Sequence, residues 1–471
     1  MRGMKRAAGM AILAGACVLG VSLAGDDVAY EQALNAQFYY KPPEPKPAEV
    51  SDVALGQALD AAYFARFIDF DRSYAPRARV TARQLAARLV RDARQFTHEE
   101  FVLRVAEIAA LADNGHTAIG ENAFRKNTPR LPLRTYLFSD GLYVLYAKPE
   151  LSSLLGARID SIEGVPLIEV FTRLRKFSGG IETHRQRQLI PVLESPALLM
   201  AAGIAKNPTS LSLTGIDASG APFSARVEAE ARDRSAWVSS TTRLVYPGSL
   251  ASTGMISFLP VEPDAPAYMH SMKKLFWMED LPRHGLYVGL GANSDGDEEP
   301  IAPFLAQVSE RIGKQRPAYL VLDVRMNGGG DYTTTYAFAR GLPLLLPTGN
   351  IYVLTSPWTF SAAITTVAAV KDAGGRRVQI VGEPVGDRLD FWAEGGAFEL
   401  PNAFVRVNYA TGRHIYDGPC TDHETCYWLN ERYPVRVSSL SPDITVPFSF
   451  RAYREGHDPA MDEILKRELH E

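Results

Sequence analysis

Apolar positions along the chain change their period twice. Between 51 and 112 they recur three and four residues apart, and Phe101, Val105, Ile108 and Ala112 mark one face of a helix. Thr97 and Glu100 stand ahead of that face as a capping box. Asn114-Gly115 reads as its stop, and His116 follows at once. From about 131 the period falls to two. "LPLRTYLF" and "LYVLYA", joined by Ser139-Asp140-Gly141, predict a β-hairpin, "ARIDSIEG" a further strand with a turn, and "VPLIEVFTRLRKF" an amphipathic helix. Beyond 245 short apolar runs alternate with helical patterns. "HGLYVGL", "AYLVLDVR", "IYVLTS" and "RRVQIVG" predict strands. Phe304, Val308 and Ile312, then "DYTTTYAFARGL" and "SAAITTVAAVKDA", predict the helices between them. "AYLVLDVR" is apolar enough to be buried on both faces. Such alternation predicts βαβ units and a mainly parallel sheet.

The pattern divides the chain into a helical section (51–130) carrying His116, a small α+β module (131–235), an α/β core (245–455) and a closing helix (456–471). Residues 26–50 form a spacer whose "KPPEPKPAEV" is polyproline-like. Residues 1–25 read as an export signal: a basic "MRGMKR", a small-residue apolar run, and Ser22-Leu23-Ala24 as a small-x-small cleavage site. The chain is therefore expected to be periplasmic or secreted. Two alternatives stay open at this end, an uncleaved membrane anchor and lipidation at Cys17.

Composition adds exclusions. With 46% hydrophobic and 22% charged residues, the chain has globular values. Fifty basic residues against 54 acidic ones give a net charge of -4, which excludes a nucleic-acid footprint. Cys420 and Cys426, in "GPCTDHETC", predict a local disulfide in an exported chain. A metal site adding His414 and His423 is the competing reading, although the spacing fits no zinc pattern. The acidic run 294–300 fits a solvated loop entering a helix better than a calcium loop.

Two successive strand–helix turns carry the candidate chemistry. Asn327-Gly328-Gly329-Gly330 follows "VLDVR", and its glycines allow backbone angles closed to other residues and leave amides free at a helix start. Phe360-Ser361-Ala362 follows "IYVLTSPWT". In a parallel sheet both turns lie at the carboxyl edge, where ligand crevices form. A serine hydroxyl beside free amides suits acyl transfer. Serine is also a preferred helix cap, so Ser361 is either a cap or a nucleophile.

"VLDVRMNGGG", "TFSAA", "VGEP" and "SPDITV" resemble, in order and spacing, the core of the tail-specific (C-terminal processing) serine peptidases. "LADNGHTAI" resembles the histidine segment of the tricorn-like members of that superfamily. The resemblance implies a mainly parallel, crotonase-like core with a PDZ-like or lid module at 131–235. It implies a nucleophile at Ser361 and an oxyanion hole from the amide of Gly328 or Gly329 with that of Ala362. A peptide or protein substrate would follow, with no metal or organic cofactor.

The chain departs from the pattern after "GEP". Processing peptidases place a general-base lysine there, and "GEPVGDR" puts Arg388 near that point. Arginine stays protonated and cannot act as a base. The tricorn-like arrangement uses histidine, which makes His116 the candidate base; its competing role is that of a cation at a helix terminus. An orienting acid is not placed by the pattern, with Glu394 and Asp417 as candidates. The expectation is an exported serine peptidase. The alternative is a non-catalytic peptide- or apolar-ligand-binding protein on the same fold.

Overall fold

The computed structural model describes residues 31–231, 244–261, 265–272, 274–297 and 299–470. The export signal at 1–25, with Cys17, lies outside the described residues.

Helices Val53–Phe64, Pro76–Asp92 and His98–Ala110 build the N-terminal section. Thr97 and Glu100 form the reciprocal capping box that opens the last of these. That helix ends at Ala110, earlier than the Asn114-Gly115 stop, because Asp113 takes a left-handed φ of 51° and turns the chain first. His98–Ala110 buries Phe101, Val105 and Ile108 in a core shared with the small module and with Phe398 and Tyr409 from late in the chain.

The hairpin forms as Leu133–Phe138 and Gly141–Ala147. Arg158–Ile162, Ser210–Ile216 and Pro222–Glu228 extend it antiparallel. Ile256–Ser257 also pairs with Gly141–Ala147, so this sheet recruits chain from beyond 235. Helices Leu167–Leu174 and Glu182–Leu193 accompany it.

The core is a six-stranded sheet in the order Ile444–Thr445, Val378–Gly382, Asn350–Thr355, Tyr319–Asp323, Gly285–Leu290, Phe276–Leu281. Neighbours are parallel except for the last pair. Leu320 and Leu322 point to one face, under helices Ile301–Gln315, Thr333–Leu345 and Ala362–Gly374. Tyr319 and Val321 point to the other, against Ala460, Met461 and Ile464 of the closing helix Pro459–His470. Both faces are covered, which is why these strands read as unbroken apolar runs.

A second antiparallel set follows the core strands and was not read from the sequence. Gly396–Leu400 pairs with Val405–Tyr409, which also pairs with Ala118–Ile119, two residues after His116. Asp390–Ala393 pairs with Gly412–Ile415. This late chain carries the histidine loop to the core sheet. Cys420 and Cys426 are joined in a disulfide, so neither thiol is free for the competing metal reading. In the acidic run, Asp295 accepts from the amide of Ile301 at 2.8 Å and so starts the next helix. Among the described residues no helix is long and apolar enough to cross a membrane.

Candidate active site

The serine turn sits at the carboxyl edge of the sheet, between Asn350–Thr355 and Ala362–Gly374. Its framework is a chain of short-range bonds. Ser356 N–H donates to the Thr359 hydroxyl (3.1 Å), which donates to the Val324 carbonyl on the neighbouring strand (2.9 Å). Phe360 N–H donates to the Asn327 carbonyl (3.1 Å), tying the serine turn to the glycine turn. Ser361 is held at φ 55°, ψ −127°, a region costly for any residue with a Cβ. It occupies the N-cap position, yet its side chain caps nothing. Its side chain is half-buried.

The glycine turn presses directly against it. Gly329, at φ +110°, comes so close that a Cβ there would lie 2.6 Å from Ser361 Cβ and 3.1 Å from the Ala362 nitrogen. The amide of Gly329 already donates to Asn327 Oδ1 at 2.9 Å. Of the glycine amides considered for an oxyanion hole, this leaves Gly328, which is exposed and has nothing within 4 Å of a hypothetical Cβ. Ala362 is the first residue of its helix, so its N–H has no acceptor within that helix.

His116 lies in a loop bound from several directions. Thr117 donates to buried Asp71 (2.6 Å), Asn114 donates to Thr117 (3.1 Å), and the Trp392 amide donates to Asn114 (3.3 Å). Asp113 pairs with Arg185 of the helix Glu182–Leu193 and with Arg388 (3.0 Å). Arg388 thus fastens the histidine loop. The imidazole stacks on Phe360, the residue before Ser361, with ring centroids 4.5 Å apart and planes at 25°. Phe391 stacks on its other side at 5.6 Å. His184 covers the opposite face of Phe360 at 4.9 Å, and His414 that of Phe391 at 5.0 Å. His116 is therefore the middle ring of a largely buried stack, with its own side chain 17% exposed, and not a cation at a helix end. Neither of its nitrogens is hydrogen-bonded. Burial, and then the neighbouring His414, push the ring down to about 4, below the near-neutral range expected from the sequence.

Of the acids considered for orienting it, Glu394 binds elsewhere. Its carboxylate meets His414 Nε2 at 3.1 Å and accepts from the Tyr39 hydroxyl. Burial would raise its pKa, but His414 and Tyr39 hold it below the ordinary carboxylate range. Asp417 is exposed in the turn beyond Gly412–Ile415. A carboxylate passed over in the sequence lies nearer. Asp387 Oδ2 is 3.9 Å from His116 Nδ1, its side chain is 1% exposed, and that oxygen has no hydrogen-bond partner. Its other oxygen accepts from the Arg388 amide at 2.9 Å. Burial raises Asp387 to about 6. The signal was one residue from Arg388, in "GEPVGDR". Nothing in the sequence marked His184, or Phe360 as a partner of the imidazole.

A separate cavity of about 390 Å³ opens between the small module and the core. Phe138, Ile168, Phe171, Met326 and Trp358 line it, and Ser361 does not. Arg187 in its wall stacks over Trp358 at 4.1 Å.

No family model matches the sequence, and no curated protein matches it. Solved structures do. Mature CPAF in complex with lactacystin superposes with a TM-score of 0.53 at 15% identity, over 88% of this chain and 98% of that one. Mature CPAF alone gives 0.52 at 14%, over 88% and 96%. The photosystem II D1 C-terminal processing protease gives 0.34 at 16%, over 87% and 99%. The two CPAF likenesses establish a shared fold.

Proposed function

We propose that the chain is an exported serine peptidase that cleaves peptide bonds through an acyl-enzyme on Ser361. The observation carrying this reading is the strained, uncapped Ser361 against the close-approaching Gly329. A helix cap has no need of such a backbone, whereas a nucleophile held beside amide donors does. In the first step His116 takes the proton from Ser361 Oγ as the oxygen bonds to the scissile carbonyl carbon. The amides of Gly328 and Ala362 hold the oxyanion. Collapse breaks the C–N bond, and the imidazolium returns its proton to the leaving amine. Water, deprotonated by the same ring, then hydrolyses the ester. The resemblance to tail-specific peptidases supports the substrate class, and the disulfide supports an oxidising compartment.

A second reading rests on the cavity. Its aromatic and aliphatic walls, with Ser361 outside them, suit a protein that binds a peptide or apolar ligand without cleaving it. A fluorophosphonate probe with mass mapping of the adduct separates the two. Labelling at Ser361, lost in Ser361→Ala, supports the peptidase. Folded protein that takes no label, or takes it at another serine, supports the binder.

A further inference from the structure

A ring held at about 4 is always neutral at pH 7, but it is a weak proton acceptor. Catalysis through His116 therefore needs a group that stabilises the imidazolium as it forms. The other titratable groups near it are otherwise engaged. Glu394 favours the charged ring through its field, but its carboxylate is bonded to His414 and Tyr39 and not to His116. Asp113 is half-exposed and committed to Arg185 and Arg388. From the helix Glu182–Leu193, His184 and Arg187 face the ring's neighbourhood and are bonded to each other at 3.1 Å.

Asp387 differs from all of these. Two buried polar atoms, its Oδ2 and His116 Nδ1, face each other at 3.9 Å, and neither has another partner. Leaving both orphaned in the interior costs about 1–3 kcal/mol each, which a single hydrogen bond between them removes. The surroundings fit this pair closely. Gly115 lies beside it, where a Cβ would come within 2.9 Å of Asp387 Oδ2 and 3.0 Å of Phe360. The Arg388 amide fixes the other carboxylate oxygen, leaving Oδ2 to the ring. Gly386 N–H donates to the Thr359 carbonyl at 2.8 Å, so the acid's turn and the serine's turn move as one.

We propose that Asp387 is the positioning carboxylate of His116: its Oδ2 accepts the Nδ1 proton, selects the tautomer whose Nε2 is free to serve Ser361, and stabilises the imidazolium. This rests on the peptidase reading for its catalytic consequence, but not for the pairing itself. The serine proton moves to Nε2, and the Nδ1 proton stays on the ring throughout. The contact tightens to a hydrogen bond when substrate is bound, as apo catalytic bonds often do.

The test is Asp387→Asn, which keeps shape and removes charge. Turnover is expected to fall roughly 10²–10⁴-fold with KM little changed. The acid limb of the pH–rate profile is expected to move to lower pH, because the lost carboxylate no longer favours the protonated ring. Asp387→Glu should recover part of the activity. In parallel, imidazole NMR of the Ser361→Ala chain follows His116 without any turnover, and Asp387→Asn should lower its titration midpoint. If Ser361 never labels, the peptidase reading fails while this titration still reports the pair. An unmoved His116 titration overturns the proposal whatever the activity shows. Should Asp387→Asn fail to fold, the parent chain decides: a far-downfield Nδ1 proton on His116 supports the pairing, and its absence overturns it.

Discussion

The serine turn and the histidine loop are stabilised in opposite ways. Most bonds that hold Ser361 come from the same run of strands and helices: Ser356, Thr359, Asn327 and Gly329 all lie within the βαβ units that it belongs to, and Trp358 adds one bond to Tyr136 of the small module. His116 is held by Asp71 from the first helices, Arg185 from the small module, and Arg388 and Trp392 from the late chain. Strain at the serine is thus a property of one sheet edge. The position of the imidazole is a joint property of three sections of the chain. Changes in the small module away from Tyr136 should therefore disturb the base and spare the nucleophile.

The sharpest way to break that contrast is to remove each group and compare rate with stability. Ser361→Gly should lower turnover by on the order of 10⁶, as loss of the nucleophile does in other serine hydrolases. Glycine accepts φ 55° without strain, so the denaturation midpoint should not fall. His116→Ala should lower turnover by roughly 10²–10⁴. Unlike the serine change, it empties the middle of an aromatic column and should cost about 3 kcal/mol in chemical denaturation. Equal stability losses from the two would mean that Ser361 is not strained.

A smaller effect separates the two glycines. Gly329→Ala places a methyl 2.6 Å from Ser361 Cβ at a φ of +110° and should cost about 2–4 kcal/mol, with probe labelling lost. Gly328→Ala meets nothing within 4 Å and should leave stability within about 0.5 kcal/mol. If Gly329→Ala labels normally, the glycine turn does not shape the nucleophile.

The same contrast explains what could be read from the sequence. The parallel core was legible because Leu320 and Tyr319 face different but equally apolar layers, so the strand stood out as one run. The serine and glycine turns were legible because their chemistry is local. The third strand of the sheet of Gly396–Leu400 and Val405–Tyr409 was not legible, since Ala118–Ile119 lies nearly 300 residues earlier and no short pattern signals that pairing, whereas the hairpin itself is local and was passed over. The ring column was missed for the same reason: His116, His184 and the pair Phe360 and Phe391 come from three sections. Burial also moved His116 out of the near-neutral range, which no residue spacing could reveal. Asp387 was visible but overshadowed by Arg388, the residue that fails to match the family's lysine.

Burial of His116 has a pH signature of definite sign. Its pKa is lowered from 6.5 to about 4 on folding, so below 6.5 the unfolded chain binds the extra proton. The associated stability is complete above pH 6.5 and is lost as pH falls toward 4. Asp387 works the other way, since its pKa is raised to about 6 and its protonation favours the folded state below that pH. The difference between His116→Phe and the parent isolates the ring. It should be flat above pH 6.5 and should grow in favour of the phenylalanine variant as pH falls to 4, measured by denaturant midpoints. A flat difference throughout would mean that the ring is solvated, and the joint assembly of the loop would then be looser than the column implies.

The smallest expected effect tests which clamp matters to the histidine loop. Both Arg388 and Arg185 bind Asp113, but in different surroundings. The Arg388 side chain is 42% exposed and Asp113 55%, so water and salt screen their attraction. Exposed pairs of this kind are worth about 0–1 kcal/mol. The Arg185 side chain is 9% exposed and also donates to the carbonyls of Gly180 (2.8 Å) and Ser178. Those acceptors lie beside the loop itself, where a Cβ on Gly179 would come within 2.8 Å of the Asn114 carbonyl. Arg388→Ala should therefore cost less than about 1 kcal/mol and leave the acid limb of the pH–rate profile in place. Arg185→Ala leaves buried acceptors unpaired and should cost about 2–3 kcal/mol, with reduced turnover and unchanged labelling at Ser361. If the order is reversed, the late chain rather than the small module sets the position of the base.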